Sequence, residues 1–144
     1  MDRENTVALL KEIYQSAKTA MDAISVLIPK ARSPKFRASL EKQQAQYHKV
    51  ASDATVQLQG YRQLPDEVSV FSKLGMWSAV QMNTITNQNT DHMAEIMING
   101  STMGVIDMTK FMKNHPDVEP HAADIANRLI EIEQANIEIM KQYL

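Results

Sequence analysis

Apolar residues recur along this chain at steps of three and four, the spacing of one face of an α-helix. Val7, Leu10, Ile13, Ala17, Met21, Ile24 and Leu27 form one stripe, opposite Lys11, Lys18 and Asp22. Phe36, Leu40, Gln44, Tyr47, Ala51, Ala54 and Leu58 form a second. Toward the C-terminus two adjacent stripes run together and predict a wide buried face. One is Ile125, Leu129, Ile132, Asn136, Ile139 and Tyr143; the other is Ala126, Ile130, Ile137, Met140 and Leu144. Alternating β-branched runs are missing, so the pattern predicts an all-α chain. The prolines (Pro29, Pro34, Pro65, Pro116 and Pro120) fall where a stripe stops and divide the chain into 4–30, 34–61, 67–113 and 118–143. Ser33 and Pro34 supply an N-cap and a first-turn proline, and Gly60 is placed to end the second helix.

A single helix over 67–113 would be about 70 Å long at 1.5 Å rise per residue, about twice its neighbours. The pattern predicts a break at residues 86–90, with Asn89 or Thr90 capping a new helix and Asp91 in its first turn. That leaves helices near 67–86 and 90–113. Between Leu74 and Thr90 no residue is charged, although Asn, Thr, Gln, Ser and Met abound. Such a stretch is too polar for a membrane span and too uncharged for a routine solvent-facing helix. It reads as a surface that other protein covers, either the chain's own helices or a second copy, with Met76, Trp77, Val80 and Ile85 as interface candidates and the monomer's own core an equally natural place for Trp77. The short link between the first two helices makes them antiparallel neighbours. Used as a long crossover, 67–86 would let helices 34–61 and 90–113 run parallel before the last helix closes an up-down bundle of four main helices. A plain five-helix bundle is the alternative.

Composition narrows the function classes. At 144 residues the chain is read as one domain, 1–144, able to bury roughly 70 per cent of its unfolded surface. A formal charge of −2 gives no electrostatic reason to expect nucleic acid. With no cysteine, disulfides, thiolate nucleophiles and cysteine-ligated metals drop out together. Neither a secretory leader nor a membrane span is evident, and the expected location is cytoplasmic. No cofactor is called for.

Three segments carry a resemblance: LEKQQAQYH at 40–48, HMAEIMINGSTMG at 92–104 and LIEIEQANIE at 129–138. With the helix layout, they resemble small bacterial ferritin-like proteins of uncharacterised function, across nearly the whole chain. The resemblance implies a ferritin-like bundle with the long helical crossover between its second and third main helices. Di-iron members of that fold use a Glu from each of two helices and a Glu-x-x-His from each of the other two. Here no Glu or Asp is followed three residues later by His. Glu41 is followed by Gln44 and Glu133 by Asn136, amides where imidazoles would stand. The expectation is a degenerate, metal-free member: a non-catalytic structural or interaction protein that self-associates. The alternative is an iron- or manganese-binding protein or oxidase with rearranged ligands, drawing on Glu12, Glu41, His48, His92, Glu95 and Glu133.

Other patterns have ordinary explanations. His92 with Glu95, and His121 with Asp124, stand three apart at helix starts, where an acid complements the helix dipole. His48 shares a face with Glu41, and His115 lies in a turn. Met93, Met97, Met103, Met108 and Met112 crowd one helix; they are expected to fill an irregular core. An adaptable groove for a partner helix or small apolar ligand, or a Cu(I) thioether site, is the sharper reading. Gly100 and Gly104 each cost a helix about 1 kcal/mol against Ala, so close approach of another helix backbone or a bend is expected there. Asp107, seven residues beyond Gly100, calls for a buried partner such as Arg128 or a tyrosine hydroxyl. Gln44, Tyr47 and Asn136 sit mid-helix on apolar stripes and, with Asp107, are candidates for a buried polar layer that fixes register.

Overall fold

The computed structural model describes residues 2–66 and 89–144, and among them all regular structure is helical. The helices are α1 (Arg3–Leu27), α2 (Pro34–Gly60), α3 (Thr90–Asn114) and α4 (Pro120–Lys141), with a short 3₁₀ turn at Ile28–Lys30. Their starts follow the chemistry of the sequence. Asp2 accepts a hydrogen bond from the Asn5 backbone N–H at 2.9 Å and caps α1. Ser33 does the same for Phe36 at 3.2 Å, with Pro34 in the first turn of α2. Asn89 is the N-cap of α3 with Asp91 in its first turn, and Pro120 opens α4. The far end of α2 falls at Gly60, where the sequence placed it. Gly60 is the last helical residue, but the left-handed turn falls on Arg62 (φ 58°). The Arg62 and Gln63 N–H groups then close on the carbonyls of Gln59 and Leu58.

The helices form two antiparallel hairpins, α1/α2 and α3/α4, packed against each other. Contacts at the two ends fix their directions. At one end the Asp2 N–H donates to the Asp117 carbonyl (2.9 Å) and the Glu119 N–H to Thr6 Oγ1 (3.0 Å). There too the Tyr61 hydroxyl meets His121 Nε2 at 3.1 Å, and Arg3 donates to the Tyr61 carbonyl at 2.7 Å. At the other end Phe36 packs edge-on to Tyr143, with ring centroids 5.0 Å apart. So α1 runs parallel to α4, and α2 runs parallel to α3. Gly60 and Thr90 therefore lie at opposite ends of a bundle about 40 Å long at helical rise. The expected crossover helix at 67–86, its five-helix alternative and the candidates Met76, Trp77, Val80 and Ile85 fall outside the described residues.

Leu9, Leu10, Ile13, Ile24, Leu27, Phe36, Leu40, Leu58 and Leu129 are fully buried. Burying a side chain of this size stabilises the fold by roughly 1.5–3 kcal/mol. Met93, Met97 and Met108 join that core and Met112 packs against it, while Met103 is half-buried and stands outside it. On α4 the buried line is Ala122, Ile125, Ala126, Leu129, Glu133, Asn136 and Met140. This corrects the two stripes read from the sequence. Ile130, Ile132, Ile137, Ile139 and Tyr143 are only half-buried and Leu144 is exposed, while the carboxyl group of Glu133 occupies the centre.

Candidate functional site: a buried polar layer

Halfway along the bundle, polar side chains from all four helices meet. From α2, Tyr47 points inward because it continues the Phe36, Leu40, Val50, Ala54 and Leu58 face, and it is fully buried. Asn136 of α4 is 1 % exposed; its amide nitrogen lies 3.4 Å from the Tyr47 hydroxyl and 3.3 Å from Gln46 Oε1. Ser101 of α3 hydrogen-bonds the same hydroxyl. Burial chiefly, and then the neighbouring Glu133, pushes the Tyr47 phenol up, while its bonds to Ser101 and Asn136 pull the other way. Tyr47 is therefore a neutral phenol at physiological pH.

Glu133 is the unusual member, a carboxyl group only 3 % exposed. It fits because Gly104 of α3 has no side chain. A Cβ at that position would lie 2.6 Å from Glu133 Oε1 and 2.8 Å from Cδ, and closer still to Oε2. Burial first, and Asp107 second, push the Glu133 carboxyl up to about 8. At neutral pH it is thus mainly a protonated acid, able to donate one hydrogen bond as well as accept. Glu12 on α1 is shifted the same way, by desolvation and then by Asp107. Asp107 accordingly stands between two other acids.

Beside Glu133 lies a cavity lined by Ser16, Thr19 and Ala20 of α1, Tyr47, Met97 and Ser101, with about 30 Å³ for the centres of water-sized molecules. Ser16 and Glu133 both line it, and Ser16 Oγ and Glu133 Oε2 have no hydrogen-bond partner among the described residues. The same holds for Asn136 Oδ1 and both amide atoms of Gln43, and nothing in the described residues explains Gln43.

The layer expected from the sequence is thus partly redrawn. Tyr47 and Asn136 belong to it. Gln44 does not: it is half-buried at the α1 interface, where its amide donates to Ser25 Oγ at 2.7 Å. Gln43, one residue earlier and 2 % exposed, takes the inward position. Asp107 is half-buried at the layer's edge. Arg128, offered as its partner, instead pairs with Asp53 of α2. The expectation for Gly104 also changes, because the room it leaves is taken by a carboxyl group and not by a neighbouring backbone.

The six acid and histidine candidates for a rearranged metal site are spread out. Glu12, Glu41, His48 and Glu95 are exposed, His92 is half-buried and Glu133 is interior. Among the described residues no three His, Asp or Glu side chains are grouped to hold a metal. His48 lines an outer α1/α2 groove with Tyr14 and Lys18, His121 serves the end contact with Tyr61, and His115 packs on Phe111 at 4.5 Å.

Sequence reasoning missed Ser16, Ser101 and the inward course of Glu133. One signal was available: Glu133 lies four residues after Leu129 and three before Asn136, on the helical spacing of the core.

No protein-family model matches this chain, and no curated protein matches it. Among solved structures it is similar to the crystal structure of a DUF305 fragment from Deinococcus radiodurans. The TM-score is 0.75 at 15 % sequence identity, covering 96 % of this chain and 93 % of that one. The two share an all-helical bundle fold. None of these comparisons names a ferritin-like family. Among the described residues, no helix is long and apolar enough to cross a membrane.

Proposed function

We propose that this protein is a non-catalytic ferritin-like bundle that works by association, as a structural or interaction protein built from copies of itself. The observation that carries the reading is how the bundle's middle is filled. Tyr47, Glu133, Asn136 and Ser101 occupy the region where a ferritin-like protein would present metal ligands, and the adjoining cavity has only about 30 Å³ for water-sized centres. The donors there are one mainly protonated carboxyl, hydroxyls and amides, a poor set for iron or manganese. The parallel course of α2 and α3 supports the ferritin-like layout, since one long crossover is the hallmark of that bundle. Self-association rests on the charge-free stretch from Leu74 to Thr90, with Trp77 as its anchor.

Two measurements on untagged protein test this. Light scattering over a range of concentrations should give a mass above the 16.3 kDa chain, shifted toward it by Trp77→Ala. A monomer at every concentration would refute self-association. Anaerobic Fe(II) or Mn(II) titration should show no stoichiometric uptake; tight binding at one or two equivalents would sink the metal-free reading.

A further inference from the structure

The central cavity combines features that belong together. It is large enough for one or two waters, since one water centre needs about 10–15 Å³. Two residues that line it, Ser16 of α1 and Glu133 of α4, are 8 % and 3 % exposed, and their Oγ and Oε2 atoms are unpartnered among the described residues. Thr19, Tyr47 and Ser101 add further oxygens around it. A water between Ser16 and Glu133 would have the two to four polar neighbours that an enclosed water requires.

The titratable groups that act on Glu133 among the described residues are all acids. Tyr47 lies against it from α2, Asp107 of α3 acts on it through space, and Glu12 of α1 stands beyond Asp107. Among the described residues no cation enters this balance. An unpaired carboxylate in such a place is strongly disfavoured, whereas a carboxylic acid loses little by burial once its O–H has an acceptor. The α1 and α3 sides of the lining are small residues, Ser16, Ala20 and Ala23 of α1 and Gly100 and Ser101 of α3.

We propose that this cavity is a proton-binding site. Glu133 occupies it as a neutral carboxylic acid, linked through one or two waters to Ser16 Oγ, and release of its proton loosens the α1–α3 contact. On release the O–H bond of the carboxyl breaks, the proton passes to a solvent base, and a carboxylate remains. That anion faces Asp107 and needs more water than the cavity holds. Parting α1 from α3 at these small residues supplies it.

The test is a carboxyl-carbon NMR titration of ¹³C-Glu-labelled protein from about pH 4 to about pH 10, with the Glu133 signal assigned by its loss in Glu133→Gln. The expected inflection is near 8, far above the ordinary 4.5. Inflection near 4.5 in folded protein would overturn the proposal. Linkage sets the sign of the companion experiment. Between about 4.5 and about 8 the folded chain holds a proton that the unfolded chain has lost, so the unfolding constant rises tenfold per pH unit and then levels off. Glu133→Gln should remove most of that slope, leaving the share of Glu12, whose carboxyl is also pushed up, and a slope equal to wild type would count against the site. Ser16→Val, which fills the cavity while keeping the acid, should move the inflection higher; an unmoved inflection would refute the water link. Amides of α1 around Ser16, corrected for intrinsic exchange, should lose protection above about pH 8 in wild type only.

Discussion

Replacing Gly104 with Ala tests what the buried carboxyl does to the neighbouring helix. Inside a helix, Ala is worth about 1 kcal/mol over Gly, so an unobstructed site would be stabilised by that much. At Gly104 the new methyl would stand 2.6 Å from Glu133 Oε1 and 2.8 Å from Cδ, well inside contact distance. Overpacking of this kind costs about 1–3 kcal/mol, eased where the displaced group has somewhere to go. The small adjoining cavity offers the carboxyl part of that room. Gly104→Ala should therefore lower stability by about 1 kcal/mol in the wild-type background. In a Glu133→Ala background the obstruction is gone, and the same change should raise stability by about 1 kcal/mol. The reversal of sign, a coupling of about 2 kcal/mol, is the decisive quantity. Urea unfolding followed by circular dichroism at about pH 6, where the acid is still neutral, measures all four corners of the cycle. Equal destabilisation in both backgrounds would refute the pairing, and would return Gly104 to close backbone packing as its reason.

Other outcomes follow from the same geometry. Tyr47→Phe removes the hydroxyl shared by Ser101 and Asn136 and should cost about 1–2 kcal/mol in urea unfolding; a neutral result would mean those contacts are not stabilising. Arg62→Gly should raise the melting temperature, by a gain of up to about 1 kcal/mol, because Arg62 holds a left-handed φ of 58° that glycine adopts freely. A lower melting temperature would show that the Arg62 side chain contributes more than its backbone costs. The pH slope assigned to Glu133 has a ceiling: moving the group from 4.5 to about 8 is worth at most about 5 kcal/mol. A total loss well above that between pH 4.5 and 8 would require a second titrating group.

The helices and their starts were legible from the chain alone, because capping, first-turn prolines and 3.6-residue spacing are local properties that need no partner. Ser33 with Pro34, Asn89 with Asp91 and the all-α assignment follow from that. Tyr47 and Asn136 were also readable, as polar residues placed on apolar stripes. What only the tertiary structure decided was which of two neighbouring residues turned inward, and what met across the bundle. Gln43 replaces Gln44 because the buried arc depends on how α2 rolls against α1 and α4, and a shift of one residue turns a helix by about 100°. Glu133 was read as half of a missing metal motif because a charged residue on a helix is ordinarily solvated. Its burial depends on a glycine 29 positions away on another helix, and on hydroxyls from α1, α2 and α3 gathered around one small space. Pairings of that kind leave no local trace in a single sequence, since they are set by the packing of the two hairpins.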